Sequence, residues 1–220
     1  MGDTMTWKSR WFNQKKFKEY VVEDAFLRAW LERHLRSAHI EPIEIERSPN
    51  TLHVILRTAR PGILIGRGGT GAAKLKDEMR HRIAALRKRF HFVPDKREIK
   101  LTIEEVRSPE THAAIVAQMI ADEIEKRTPF RRVLKQALEK ISASKNVKGV
   151  KISLKGRLDG AEMARYEWGK KGRIPLQTIR AHIDYAEKTA YTTYGTVGIK
   201  VWIYKGDVFE SEKLKTQSAK

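Results

Sequence analysis

The sequence predicts an α+β protein of two small domains, each a mixed sheet covered by helices. Two observations lead to this prediction. In each half of the chain, stretches with apolar residues at helical spacing occur beside stretches in which apolar and polar residues alternate. Between the halves, the segment Arg107-Ser108-Pro109 ends a strand pattern just before a new helical pattern, because proline disfavours continuation of the preceding backbone. A length of 220 residues is enough for two separate cores.

The first domain is predicted over residues 19–107. Leu27, Leu31 and Leu35 recur four residues apart and indicate an amphipathic helix. Alternating residues on both sides of the turn Ser48-Pro49-Asn50 indicate a hairpin. We therefore predict, in order, a helix (20–38), two strands (43–46 and 52–56), a short helix (60–65), a glycine-rich loop (66–69), a long helix (70–90) and a strand (99–103).

The second domain is predicted over residues 108–206. Its patterns indicate two helices (116–124 and 130–141) and three strands (150–154, 179–185 and 199–204). Residues 156–175 contain several glycines and basic residues, and we interpret them as a long connection. Residues 1–18 are basic and aromatic without a clear period and are interpreted as an arm, whereas residues 207–220 are polar, charged and predicted to be disordered.

Charge limits the classes of function. Lysine and arginine number 45 against 27 acidic residues, which gives a net charge of +18, and such a surface favours nucleic acid first and an anionic membrane second. No apolar run approaches the roughly 20 residues of a spanning helix. The first ten residues contain no apolar core of a secretory signal, so we expect a cytoplasmic protein without a membrane partner.

Catalytic and metal-binding patterns are weak. The absence of cysteine excludes disulfides and thiolate metal sites, and the seven histidines show no ligand spacing. The acidic pairs Glu104-Glu105 and Asp122-Glu123 are adjacent in sequence and therefore point in different directions. We predict no catalytic residue, no metal site and no cofactor.

The loop Gly66-Arg67-Gly68-Gly69 is the sharpest local motif. Its glycines lack the Cβ atoms that would keep a phosphodiester away from backbone N–H groups, and the helix that follows favours an anion at its start. A nucleotide-binding P-loop would need a lysine before Thr70, and none is present. A simple turn between helices would also need glycine. The flanking helices and strands nevertheless match a KH domain, in which a G-x-x-G loop clamps the backbone of single-stranded RNA, and the additional N-terminal elements indicate its type II form.

A second candidate is a basic triplet, Arg131, Arg132 and Lys135. The spacing places the three side chains on one face of the predicted helix 130–141. The triplet is either an RNA-binding surface or an ordinary solvated face on which Lys135 pairs with Glu139.

Three segments of the second domain carry a resemblance to a known family. They are Gly156-Arg157-Leu158-Asp159-Gly160-Ala161-Glu162-Met163-Ala164-Arg165, Gly172-Arg173-Ile174-Pro175-Leu176 through Ile183-Asp184-Tyr185, and Thr192-Thr193-Tyr194-Gly195-Thr196-Val197-Gly198-Ile199-Lys200-Val201-Trp202-Ile203. In this order they resemble the C-terminal domain of the family of bacterial-type small-subunit (30S) ribosomal protein number three, the universal S-three family. The resemblance covers roughly Trp7 to Gly206.

The resemblance implies a structural protein of the small-subunit head. Its partners would be 16S rRNA, mRNA and neighbouring ribosomal proteins, and its location would be the cytoplasmic ribosome. The basic triplet falls on the Phe-Arg-Arg-x-x-Lys positions that, in the family, line the channel where mRNA enters and assist unwinding. The residues expected to face rRNA are Lys8, Arg10, Arg157, Arg165, Lys170, Lys171, Arg173 and Arg180.

Two departures from the family pattern affect these expectations. Family members usually carry a short Gly-Gln-Lys leader before the aromatic arm, and this chain starts almost directly at the arm. Gly68 stands where members often have lysine, so we expect more of the loop's attraction for phosphate to fall on Arg67. The alternative function is a free KH-type RNA chaperone or regulator; an RNA-processing enzyme would need a constellation that the sequence lacks.

Overall fold

The computed structural model describes residues 7–92 and 97–209, which form two compact units, Trp7–Arg107 and a second unit that begins at Ser108. Residues 1–6 of the predicted arm and 210–220 of the predicted tail lie outside the described residues. The first unit contains β1 (Ser9–Arg10), α1 (Phe17–His34), β2 (Glu44–Arg47), β3 (Thr51–Thr58), α2 (Pro61–Ile65), α3 (Thr70–Arg89) and β4 (Glu98–Glu105). The second contains α4 (Ala113–Glu125), α5 (Phe130–Ala143), β5 (Gly149–Gly156), β6 (Arg165–Gly172), β7 (Ala181–Thr192) and β8 (Gly195–Asp207). The predicted α+β class is confirmed.

The first unit is a mixed sheet in the order β1-β2-β3-β4. Strands β2 and β3 pair antiparallel, whereas β1 and β4 pair parallel with their neighbours. Buried and half-buried residues alternate along the whole of β3, as expected for a strand with one covered face. Leu27 and Leu31 of α1 and Met79 of α3 are fully buried in the same core as the alternating residues of β3.

The segment predicted as an arm is more ordered than expected where it is described. Ser9 and Arg10 form a strand beside β2, and α1 begins within the predicted arm, at Phe17. The indole of Trp11 lies edge-on to Tyr20, with 5.3 Å between the ring centroids, and donates a hydrogen bond to Asp24 Oδ2 at 2.8 Å. These contacts involve residues on separate elements, so no local period in the sequence could reveal them.

The second unit is an antiparallel sheet in the order β6-β5-β8-β7, with α4 and α5 packed on it. We expected a mixed sheet here, and the pairings are antiparallel throughout. The turn between β7 and β8 contains only Thr193 and Tyr194, and so short a connection joins only antiparallel strands. The core lies between the helices and one face of the sheet, where Ile152, Ile199 and Val201 are fully buried.

The interpretation of residues 156–175 as a connection is wrong, because Arg165–Gly172 forms the edge strand β6. The inner face of this strand carries Gly169 where an apolar residue would normally mark the pattern. A Cβ added to Gly169 would lie 2.4 Å from Leu134 Cδ2 and 2.6 Å from Leu138 Cδ1, so α5 occupies the space of the missing side chain. Strand β7 also begins later and runs further than predicted, from Ala181 to Thr192.

Candidate nucleic-acid interface

The glycine loop, Gly66–Gly69, joins the end of α2 to the start of α3. Gly66 has φ 68° and ψ −174°, a conformation that is essentially restricted to glycine. Gly68 and Gly69 follow with φ 60° and 79°, so three residues of the loop adopt positive φ. The hydroxyl of Thr70 donates to the carbonyl oxygen of Arg67 at 3.0 Å and closes the turn.

The outer surface of the glycine loop is open. A Cβ added to Gly68 or Gly69 would meet no atom within 4 Å, so a ligand backbone could approach the loop closely. On the inner side, a Cβ added to Gly71 would lie 2.6 Å from the carbonyl oxygen of Leu64, which shows how tightly α3 lies against α2. The loop is therefore fixed from behind and accessible in front, with exposed Arg67 beside it.

The basic triplet lies on the exposed face of α5. Arg131, Arg132 and Lys135 are exposed, whereas Phe130 and Val133 on the other face are buried. Within residues 7–92 and 97–209, no ion pair involves the triplet, so the alternative in which Lys135 pairs with Glu139 is not observed. The three charges remain available to an anionic partner.

The start of α5 is held by a residue that the sequence did not single out. Asp159 accepts a hydrogen bond from the backbone N–H of Phe130, with 3.2 Å between Oδ1 and N. Asp159 has φ 54° in a short 3₁₀ turn, a left-handed conformation that aspartate tolerates better than most residues. Its bond satisfies one of the free N–H groups at the start of the helix that carries the basic triplet.

Asp184 has the same role at the other helix. Its Oδ2 accepts a hydrogen bond from the backbone N–H of Ala113 at 3.0 Å and lies 3.3 Å from Lys205 Nζ. Asp159 and Asp184 both lie within the segments that carry the family resemblance, and their position there was the signal that could have identified them.

The basic residues of β6 are exposed but point in two directions. Strand alternation places Arg165 and Lys171 on the same side as Gly169, which faces α5. Lys170 lies on the opposite side of the sheet. Only Arg165 and Lys171 can therefore extend the surface of the basic triplet.

Lys8 and Arg10, which were predicted to face rRNA, have partners within the first unit. Glu44 is buried and lies 2.9 Å from Lys8, 3.2 Å from Arg10 and 2.9 Å from Arg57, and Arg10 also pairs with Glu46 at 2.9 Å. Burial alone would raise the pKa of Glu44, but the hydrogen bond from Lys8 and the three positive charges together lower it. The first function of these pairs is to attach β1 to the sheet.

Arg157 is also engaged within the protein. Its guanidinium donates to the carbonyl oxygens of Ala161 at 2.8 Å and Tyr194 at 3.2 Å, and so connects two of the family-like segments. Arg173 and Arg180 are exposed after β6, and the Arg180 guanidinium lies 5.7 Å from the centroid of the Phe209 ring.

The part of the chain that the structure describes contains no cluster of three or more histidine or acidic side chains arranged to hold a metal ion. Among its helices, none has both the length and the apolar character that crossing a bilayer requires.

A glycine loop between α2 and α3 on a four-stranded mixed sheet, with α1, β2 and β3 ahead of it, defines a KH-type domain, a class that binds nucleic acid through this loop. Residues 27–111 match the family described as KH domain, and residues 120–203 match the one described as Ribosomal protein S3, C-terminal domain. The chain is 46% identical over 209 residues to small ribosomal subunit protein uS3 of Caldicellulosiruptor saccharolyticus. The matched residues cover 94% of this chain and 89% of the relative. It is 42% identical to uS3 of Desulfovibrio desulfuricans (96% and 93% covered) and 43% identical to uS3 of Koribacter versatilis (98% and 91% covered). The chain belongs to the small ribosomal subunit protein uS3 family, which confirms the resemblance found in the sequence.

Proposed function

We propose that the chain is a structural protein of the small ribosomal subunit that binds 16S rRNA in the subunit head, beside neighbouring ribosomal proteins. We further propose that α5 contacts mRNA where it enters the subunit and assists the unwinding of structured mRNA. The observation that supports the second role is the basic triplet itself, three exposed cations on one helix face without ion partners among the described residues. Unpaired cations attract phosphates more strongly than cations already neutralised by carboxylates.

The proposed RNA contacts fall into two groups. The glycine loop and the exposed cations Arg165, Lys170, Lys171, Arg173 and Arg180 are free to approach a phosphate backbone. Lys8, Arg10 and Arg157 remain candidates for rRNA contact through the parts of their side chains that reach solvent, but each also stabilises the fold. We expect their replacement to affect stability before RNA affinity.

The division of the chain into domains at 19–107 and 108–206 also remains a proposal, together with the alternative function of a free KH-type RNA chaperone or regulator. The ribosomal role is better supported, because a regulator that used only the glycine loop would not need the second unit. A tagged chain should sediment with small subunits in a sucrose gradient and remain bound after a high-salt wash, whereas binding through a few phosphates weakens steeply with salt. Sedimentation at the top of the gradient would favour the free regulator.

The mRNA role is tested by replacing all three residues of the basic triplet with alanine in ribosomes. We expect normal translation of an unstructured message and slower translation of one with a stable hairpin, since each lost cation removes one phosphate contact at the helix surface. The measurement is the ratio of the elongation rates on the two messages.

The matched control removes the same charge from elsewhere in the second unit. Lys126, Lys145 and Lys148 are exposed and lie outside α5, and their triple alanine variant loses three positive charges without changing the triplet. An unchanged hairpin-to-unstructured ratio in the triplet variant, or an equal change in the control, would contradict the mRNA role.

A further inference from the structure

The sheet of the second unit has a face that α4 and α5 do not cover. The helices pack against the buried side chains of β5 and β8, such as Ile152 and Val201. The residues that alternate with these along each strand point away from the helices and form a surface that we call the open face. Strand pairing places Lys170, Lys151, Trp202 and Tyr185 in one row across it.

Aromatic rings are concentrated on the open face. Tyr166 and Trp168 on the edge strand β6 are 54% and 55% exposed, and Tyr185 on β7 is 44% exposed. Tyr185 and the half-buried Trp202 lie in contact, with 5.3 Å between their ring centroids. Large exposed rings gathered on one sheet face are unusual on a surface that meets only water.

Lysines lie between these rings. Lys151 Nζ is 5.4 Å from the centroid of Trp168 and 5.3 Å from that of Trp202, so one cation lies between two indoles. Lys155, Lys170 and Lys200 lie on the same face. The carboxylate there, Glu187, is 3.8 Å from Lys200 and accepts a hydrogen bond from the Tyr185 hydroxyl at 3.0 Å. Lysines outnumber carboxylates on this face, which leaves the surface positive.

The corresponding face of the first unit is different. On its side away from α1 and α3, Arg57 pairs with Glu104 at 2.9 Å, Arg10 pairs with Glu46 at 2.9 Å, and His53 bonds to Thr102 at 2.8 Å. That face is neutralised by its own residues. The excess of cations and rings on the open face is therefore a property of this sheet, and not a general consequence of the basic composition.

We propose that the open face binds a single-stranded RNA segment, with unpaired bases stacked on Trp168, Tyr166 and the Tyr185–Trp202 pair and with phosphates bound by the lysines. Aromatic rings provide flat apolar surfaces for bases, and interleaved cations follow the backbone, which is the combination that sequence-tolerant single-strand binding needs. A protein partner with an apolar surface would have to bury lysines without acidic partners, so it fits the surface less well. This site lies on the opposite side of the sheet from α5 and is additional to the glycine loop and the basic triplet.

The test uses the full chain and two RNA strands of equal length, of about ten nucleotides. One is oligouridylate, and the other has the same ribose-phosphate backbone without bases. The difference between their affinities, measured by fluorescence anisotropy, isolates stacking from charge. We expect oligouridylate to bind at least about tenfold more tightly than the strand without bases, and the double variant Tyr166→Leu/Trp168→Leu to lose most of that difference.

Matched variants separate the open face from the rest of the chain. Phe12 and Phe90 are exposed rings of the first unit, and their double leucine variant should keep the full advantage of the base-bearing strand. Removal of the basic triplet should leave the ratio of the two affinities unchanged, because the triplet lies on the other side of the sheet, so a failure of the mRNA proposal is distinguishable from a failure of this one. A 5-bromouridine strand provides a second measurement on the unmodified chain, because its photo-crosslinks should map to β6 and β7 even if a variant folds poorly.

Three results would each overturn the proposal. The first is equal binding of the two strands, and the second is an undiminished preference for oligouridylate in the Tyr166→Leu/Trp168→Leu variant. The third is photo-crosslinks confined to elements other than β6 and β7. Burial of Trp168 and Tyr185 against a neighbouring protein in the assembled subunit, shown by protection from chemical modification after the RNA is removed, would do the same.

Discussion

The hydrogen bond from Phe130 to Asp159 predicts a graded loss of stability at α5. Asp159 contributes an oxygen that caps the helix and a residue type that tolerates a φ of 54°. Alanine removes both contributions, glycine removes only the cap, and asparagine keeps the oxygen but loses the charge. The three substitutions therefore separate the effects of cap, backbone and charge.

Magnitudes follow from the geometry. Loss of a helix cap costs about 1 kcal/mol, and the 3.2 Å bond of an exposed carboxylate is no stronger than average. A left-handed alanine adds about 1 kcal/mol that glycine avoids. We expect losses of about 2 kcal/mol for Asp159→Ala, about 1 kcal/mol for Asp159→Gly and about 0.5 kcal/mol or less for Asp159→Asn.

Native-state hydrogen exchange measures these losses locally. The amides of α5 should exchange about 30-fold faster in Asp159→Ala and about fivefold faster in Asp159→Gly, since 1.4 kcal/mol corresponds to a factor of ten. Amides of α1 in the first unit should not change. Glu162→Ala removes an exposed carboxylate from the same loop and is the control for charge alone. Unchanged α5 exchange in the alanine variant would refute the capping role, and equal effects of alanine and glycine would refute the contribution of φ.

Two further predictions concern the first unit. Because the pKa of Glu44 is lowered on folding, the carboxylate's contribution to stability is present above the ordinary value of 4.5 and is lost as the pH falls through the lower folded value. In urea unfolding, Glu44→Gln should therefore lose less stability over that acid range than the unmodified chain. Parallel plots of unfolding free energy against pH for the two proteins would contradict the assignment. Gly66→Ala should lower the free energy of unfolding by about 1–3 kcal/mol, because alanine disfavours the combination of φ 68° with ψ −174° and the added Cβ would lie 3.1 Å from the backbone nitrogen of Gly71. Gly68→Ala, with φ 60° and open space around it, should cost only about 1 kcal/mol. The reverse order of the two variants in thermal melts would show that the loop is not held in this conformation.

The elements with a covered face could be predicted from the sequence, because burial imposes a period on their residues. Leu27 and Leu31 marked α1, and the alternation of Leu52, Val54 and Leu56 marked β3. Strand β6 showed no such period, since Gly169 replaces the inward apolar side chain and Trp168 points outward. Its pairing with β5 and its contact with α5 define this strand, and neither leaves a period in its own residues.

The candidate site could likewise be predicted only where its residues form a local pattern in the sequence. The glycine loop and the basic triplet are local patterns, and the structure places each on an accessible surface. The bonds of Lys8 to Glu44 and of Arg157 to Tyr194 were not predictable, because these acceptors are 36 and 37 residues away. A count of basic residues cannot distinguish a cation that awaits RNA from one that already bonds to the protein.

The assignment of β6 as a strand changes how RNA can meet the second unit. Lys170 and Lys171 are adjacent in sequence, but a strand points them to opposite sides of the sheet, toward the open face and the α5 side respectively. A helix packed on a sheet makes the unit about 20 Å thick. Because the two surfaces lie on opposite sides of this layer, one short stretch of RNA cannot contact both at once. Lys170→Ala and Lys171→Ala should therefore weaken the binding of different RNA segments, although the two residues are neighbours with the same charge and similar exposure.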